Sequence, residues 1–214
     1  GEIETPFHED SIPKPNDPYG VAKLAAEEVL KQLCETHGME WNIAIPHNIV
    51  GSRQRYDDPF RNVMSIMVHR MLKGLPPIIY GDGTQTRCFS HVADCVFCLE
   101  KLTLDPNITS QIINIGPSEG TITIKELAEI IADELNFTTP PIHLADRPRE
   151  VKHASCSADR AIEVLGYNQN VDVRMCVRET IEYIKEHGLK DFDYSYPLEI
   201  ITENTPATWK DRIM

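Results

Sequence analysis

The sequence predicts an α/β fold, a remnant of a doubly wound parallel sheet followed by a smaller mixed α/β lobe. Three observations predict it. A capped amphipathic stretch, residues 18–37, leads directly into the short apolar run 41–46. That run lacks the strict alternation of a half-solvated strand, which suits an interior parallel strand covered on both faces. Beyond it, helical periodicity and short extended runs alternate as far as about residue 188.

In the first helix Asp17 reads as the N-cap, Pro18 as the first helical residue and Gly38 as the terminator, with Val21, Leu24, Ala25, Val29 and Leu33 as the inward stripe. Residues 47–59 follow the first strand as a loop at its carboxyl end, the edge at which open α/β sheets bind ligands. A second helix is expected over 60–73, with Val63, Ile66, Met67 and Met71 inward and Gly74 ending it. Residues 76–80 read as extended, Gly81-Asp-Gly83 as a tight turn, and 87–91 as another extended piece leading into a helix over 92–102. Asp94 sits favourably in the first turn of that helix. Residues 111–115 form the next strand, and Thr123 with Glu126 spells a capping box for a helix over 124–135, where Leu127, Ile130 and Ile131 face inward. An edge strand at 141–145 precedes a charged loop, 146–150; helices at 159–165 and 172–187 end at Gly166 and Gly188. From Lys190 the periodicity dissolves into an extension laid over a surface or a partner.

With 214 residues, 41% hydrophobic and 25% charged, the chain can bury a sizeable core. A formal net charge of −12 argues against nucleic-acid or acidic-membrane partners, which need a basic face, so an anionic ligand requires a local cluster of arginines. No apolar run reaches membrane-spanning length, and the first residues carry neither a basic n-region nor an apolar h-region. A cytoplasmic location is therefore expected. Six cysteines without a secretory signal read as buried thiols rather than disulfides, and Cys95-x-x-Cys98 as core packing, since no second pair or histidine spacing completes a site. The eight histidines include no His-Glu-x-x-His, and no metal is expected.

Tyr19 and Lys23 stand four apart, so one helical turn places the ammonium beside the phenol. A cation held near a tyrosine favours its phenolate, drawing a pKa of about 10 towards working pH and letting the oxygen exchange a proton with a substrate hydroxyl. Taken alone, the pair also fits an ordinary helix face.

The run Pro18-Tyr-Gly-Val-Ala-Lys-Leu-Ala-Ala-Glu27 resembles the active-site helix of extended short-chain dehydrogenases/reductases, the NAD-dependent nucleotide-sugar epimerases and dehydratases of UDP-glucose 4-epimerase type. The resemblance continues to about residue 188. It implies a Rossmann-like cofactor domain of which residues 1–58 are the C-terminal remnant, a sugar-nucleotide-binding lobe over 59–188 with the chain free to cross between lobes, and an extension over 189–214. Gly1 resembles the glycine that follows a catalytic Ser or Thr strand, and neither Gly-x-Gly-x-x-Gly nor Gly-x-x-Gly-x-x-Gly follows a strand. The resemblance thus implies a missing N-terminal half, without which the chain is inactive and exposes a sheet edge.

By the same resemblance Tyr19 and Lys23 are catalytic and contact NAD (NADP as the variant), with Pro46 and His47 lining the nicotinamide and Asn48 meeting the sugar-nucleotide phosphates. Ile45 stands where relatives carry an arginine. Asn62 and Val63 fall at a nucleotide-binding helix start; Ile78 and Tyr80 flank the base; Arg87 reaches the pyrophosphate or ribose; Arg147 clamps the diphosphate and Glu150 holds ribose hydroxyls. Cys88 replaces a residue usually acidic or small and polar. The chemistry is sound in itself, since an aromatic offers a stacking platform and a guanidinium grips phosphate through paired donors. Arginines on an acidic protein also serve as surface ion pairs, and that reading stays open. The expected activity is epimerisation of a nucleotide-diphospho-sugar through a keto intermediate, in a homodimer. Dehydration or decarboxylation on the same fold, or a non-catalytic fragment or pseudoenzyme that binds sugar nucleotide or a partner subunit, are the alternatives.

Overall fold

Asp17 opens the first helix as expected, its Oδ1 accepting from the Gly20 amide at 2.6 Å, and Gly38 closes it with φ +65°. The computed structural model describes residues 4–148, 150–169 and 172–214; Gly1, and with it the expected link to an upstream hydroxyl, lies outside the described residues. In chain order the elements are α1 (Pro18–His37), β1 (Asn42–Pro46), β2 (Ile49–Val50), α2 (Val63–Leu72), β3 (Ile78–Tyr80), β4 (Thr86–Arg87), β5 (Ser90–His91), α3 (Val92–Leu104), β6 (Gln111–Ile115), β7 (Ile122–Thr123), α4 (Ile124–Leu135), β8 (Ile142–Leu144), β9 (His153–Ala154), α5 (Asp159–Leu165), α6 (Val173–His187) and α7 (Ala207–Lys210). They build two compact units: Gly1–Ile49 with Arg87–Thr121 and His153–Asn170, and Val50–Thr86 with Ile122–Lys152 and Val171–Met214.

In the first unit β1 and β6 pair in parallel, from Asn42↔Gln111 to Pro46↔Ile115. Asn42 fixes this register: its Nδ2 donates to the Leu102 and Ile108 carbonyls at 2.9 and 2.7 Å, and its Oδ1 accepts from the Gln111 amide at 3.1 Å. Cys95, Cys98 and Leu102 of α3, Ile113 and Ile115 of β6, and Ala161 and Leu165 of α5 make the core. The α1 stripe corrects the expectation of an inward face. Val21, Val29 and Leu33 are 54%, 56% and 50% exposed, Ala25 is exposed, Leu24 is half-buried, and Cys34 is the buried residue of the helix. No other described element covers that side of α1.

In the second unit α2, α4 and α6 pack together through Met64, Met67, Val68 and Met71, through Leu127, Ala128 and Ile131, and through Cys176, Val177, Ile181 and Ile184. The strand expected at an edge, β8, pairs in parallel with β3 from Ile78↔Ile142 to Tyr80↔Leu144. Helix α2 starts later than the periodicity suggests. Asn62 has φ +43° and turns its Oδ1 onto the Met64 amide at 3.1 Å, which makes it the cap and stops the helix from reaching back to Phe60. The capping box of α4 is complete: the Thr123 hydroxyl accepts from the Glu126 amide at 3.0 Å, and the Thr123 amide donates to Glu126 Oε2 at 2.7 Å.

The C-terminal residues are tied to this same unit. Tyr56 donates to the Gly188 carbonyl at 2.7 Å, Lys73 pairs with Asp191 at 2.9 Å, and Arg70 donates to the Ile213 carbonyl at 2.7 Å. All six cysteines are free and buried, as expected. No helix of the described residues is long and apolar enough to cross a membrane.

Candidate functional site

The Asp17 cap and Pro18 set the phase of α1 so that Tyr19 and Lys23 lie one turn apart on its surface. Tyr19 is 71% exposed, and the Lys23 ammonium stands 5.5 Å from its ring centroid. The pair is therefore adjacent, mutually oriented and open to a ligand.

At the carboxyl end of β1 the chain is held tightly. The His47 amide donates to the Ile115 carbonyl at 2.9 Å, while the His47 carbonyl accepts from the Ser90 hydroxyl at 2.6 Å. Pro46 is exposed at the strand's last position. Asn48 takes φ +41° and uses its Nδ2 on the Cys88 carbonyl at 2.9 Å, so this asparagine shapes the loop with its amide group. A Cβ on Gly116 would meet Cys156 Sγ and Ser90 Oγ at 3.0 Å, so the packing beside His47 requires a glycine there.

The half-buried His47 ring faces Cys88 and Cys156, and one ligand atom from each of the three lies within 4.8 Å of the others. Burial lowers the His47 pKa and favours neutral imidazole, opposed by a hydrogen bond to the Asn114 side chain and by the charge of Glu9. The hydrogen bond from Cys156 lowers the Cys88 pKa to about 7 and pushes that of Cys156 up. These three residues are far apart in the chain and match no spacing motif, so only the folded strands reveal the grouping. Cys95 and Cys98, by contrast, are raised to about 12 and about 11 by burial, as core thiols should be. Arg87 is half-buried at the end of β4.

In the second unit Asn62 spends its side-chain oxygen on capping α2, and Val63, the first residue of that helix, is half-buried. Ile78 is only 8% exposed and leaves little side-chain surface for a base. Tyr80 is half-buried; its hydroxyl hydrogen-bonds Thr208 Oγ1 at 2.7 Å and accepts from the Thr208 amide at 3.2 Å. The Arg147 guanidinium lies 5.5 Å from the Tyr80 ring centroid and 5.0 Å from that of Trp209. The Glu150 amide donates to the Arg147 carbonyl at 3.4 Å. The structure thus brings Tyr80 and Arg147 together and adds Thr208 and Trp209, which lie in an aperiodic tail with no sequence signal to mark them.

Residues 1–116 match the model of the NAD dependent epimerase/dehydratase family. A Methanocaldococcus jannaschii protein assigned as a UDP-glucose 4-epimerase is 32% identical over 186 residues, 86% of this chain and 58% of that protein. The UDP-N-acetyl-alpha-D-glucosaminuronate decarboxylase of Bacillus cytotoxicus is 28% identical, over 87% of this chain and 60% of its own length. Among solved structures, the UDP-glucuronic acid 4-epimerase of Bacillus cereus, in complex with UDP-glucuronic acid and NAD, superposes with a TM-score of 0.80 at 28% identity, covering 88% of this chain and 59% of that one. The chain therefore spans about three-fifths of the length of each of these relatives. With more than half of its residues matched and the parallel α/β architecture in place, it belongs to the NAD dependent epimerase/dehydratase family.

Proposed function

We propose that this chain carries the catalytic helix and the sugar-nucleotide-binding residues of an NAD-dependent epimerase of nucleotide-diphospho-sugars, active within a protein of its relatives' length. One observation carries the reading: Tyr19 and Lys23 are one turn apart, the ammonium 5.5 Å from the ring, both open to a ligand. Tyr19 Oη takes the proton from a sugar hydroxyl and later returns one, while Lys23 places positive charge beside that oxygen. NAD fits this donor set, because an exposed phenol and an exposed ammonium suit the hydroxyls of a nicotinamide ribose, and Pro46 and His47 stand at the ligand-binding edge of β1. When bound, that cofactor supplies hydride transfer in both directions.

For the substrate, Arg147 grips the diphosphate beside Tyr80, with Glu150 on ribose hydroxyls and Val63, at the start of α2 in the same unit, beside them. The keto sugar that follows proton removal is reduced on its other face to give the epimer. The exposed Val21, Val29, Leu30 and Leu33 support association of two copies through α1. Dehydratase and decarboxylase readings use the same residues, and the decarboxylase among the relatives supports keeping them. Identification of the product formed by the longer protein decides among them. Without a glycine-rich turn this chain by itself is expected to retain no NAD and turn nothing over.

The test is Tyr19→Phe in the longer protein. Turnover falls to background while sugar-nucleotide affinity is retained; full activity in that variant ends the assignment.

A further inference from the structure

We propose that His47, Cys88 and Cys156 form a three-ligand site for a soft cation of the zinc type. His47 also stands at the edge proposed for the nicotinamide, so the metal reading is tested by metal uptake and not by turnover. It starts from position: one nitrogen and two sulfurs, brought from the end of β1, the segment after β4 and the segment after β9, lie within 4.8 Å of one another. Imidazole with two thiolates is a donor set that zinc takes, with a fourth tetrahedral position left for water or an anion. Bonds of about 2.1 Å to nitrogen and about 2.3 Å to sulfur set ligand separations of about 3.6–3.8 Å, so side-chain rotation of roughly an ångström closes the site.

The backbone at each ligand is already fixed. His47 is pinned through its amide to Ile115 and through its carbonyl to Ser90. The Cys88 carbonyl is held by Asn48 Nδ2. Cys156 sits in an isolated parallel bridge with Phe7, flanked by the Phe7 amide on the Ser155 carbonyl at 2.8 Å and the Ser157 amide on the Phe7 carbonyl at 3.0 Å. The site also has an outer layer. Asn114 hydrogen-bonds the His47 ring, its Nδ2 donates to the Phe7 carbonyl at 3.0 Å, and its amide donates to Glu9 Oε1 at 2.8 Å. Metal-binding imidazoles depend on such a partner to fix which nitrogen presents its lone pair. Gly116 leaves the room that a Cβ would fill.

Plain core packing is the alternative, and the chain provides the contrast. Cys95 and Cys98 are a second buried pair, set in an apolar core of Leu102, Ile113, Ile115 and Leu165. The Cys88 and Cys156 pair has an imidazole in reach, and that imidazole is half-buried. Binding displaces the thiol protons to solvent as the sulfurs become thiolates.

The experiment is titration of the reduced, chelator-treated chain with Zn2+ against a chromophoric chelator, and with Co2+ followed by absorption. The expected result is one equivalent bound, with a thiolate-to-cobalt charge-transfer band. Cys88→Ser, Cys156→Ser and His47→Ala each lower the affinity at least tenfold, whereas Cys98→Ser leaves it unchanged. Circular dichroism of each variant separates loss of the site from loss of the fold. No stoichiometric uptake by the folded chain, or uptake that survives the Cys88→Ser/Cys156→Ser double substitution, overturns the proposal.

Discussion

Arg147 and Trp209 meet with the guanidinium 5.0 Å from the indole centroid, and Tyr80 flanks the same cation at 5.5 Å. The pair anchors the tail to a loop proposed to grip a diphosphate. A half-exposed cation over an aromatic ring contributes about 0.5–1 kcal/mol, and the edge-on contact of Trp209 with Phe60, centroids 5.5 Å apart, adds about as much again. Trp209→Ala is therefore expected to lower the unfolding free energy by about 1–2 kcal/mol in urea. Trp209→Phe recovers most of the loss. In the longer protein, Arg147→Ala is expected to weaken binding of the nucleotide-diphospho-sugar at least tenfold by calorimetry.

Glu134 accepts from Arg174 at 2.6 Å and from Arg178 at 2.8 Å, linking α4 to α6. Arg178 first and Arg174 second depress its pKa from 4.5 to about 2. A depressed folded-state value means a contribution fully present above about pH 4.5 and lost as the pH falls through about 2. Melting temperatures of the wild type and Glu134→Gln should differ at pH 6 and converge as the pH approaches 2. A constant offset across that window contradicts the ion cluster.

Leu127 is fully buried among α2, α4 and α6, whereas Val29 is 56% exposed on α1. Leu127→Ala is expected to cost about 2–5 kcal/mol through lost burial and the cavity left behind. Val29→Ser should change stability by no more than about 0.5 kcal/mol. Chemical denaturation of both variants checks the contrast.

All six thiols are buried. An aromatic disulfide reagent at pH 8 should therefore react with almost none of them in the native chain and with all six after denaturation. Rapid native reaction at Cys95 or Cys98 contradicts their place in the core.

Local chemistry was legible wherever one segment carried the whole signal. Asp17-Pro18, the Thr123/Glu126 box and the glycines at 38 and 166 announce helix ends through hydrogen bonds that a few neighbouring residues satisfy by themselves. The α2 start was misjudged because Phe60 continues the apolar period while Asn62, two residues on, turns the backbone to positive φ. The α1 stripe misled for a different reason. Periodicity tells which residues share a face, and burial depends on whether another element reaches that face. Tyr19 and Lys23 could be paired from spacing because a helix fixes the distance between positions four apart. Nothing local joins His47 to Cys88 and Cys156, or Arg147 to Trp209. Strand pairing and a tail without periodicity bring those residues together, and neither leaves a trace in the order of the letters.

The two units are woven from alternating stretches of one chain, with changes of unit after Ile49, Thr86, Thr121, Lys152 and Asn170. Neither can be expressed as an uninterrupted fragment, transplanted by a single crossover, or completed on the ribosome before most of the polypeptide has emerged. The β1–β6 ladder, which joins Asn42 to Gln111, must wait for synthesis to pass far beyond its first strand, so formation of this architecture is paced by non-local closure rather than by its helices.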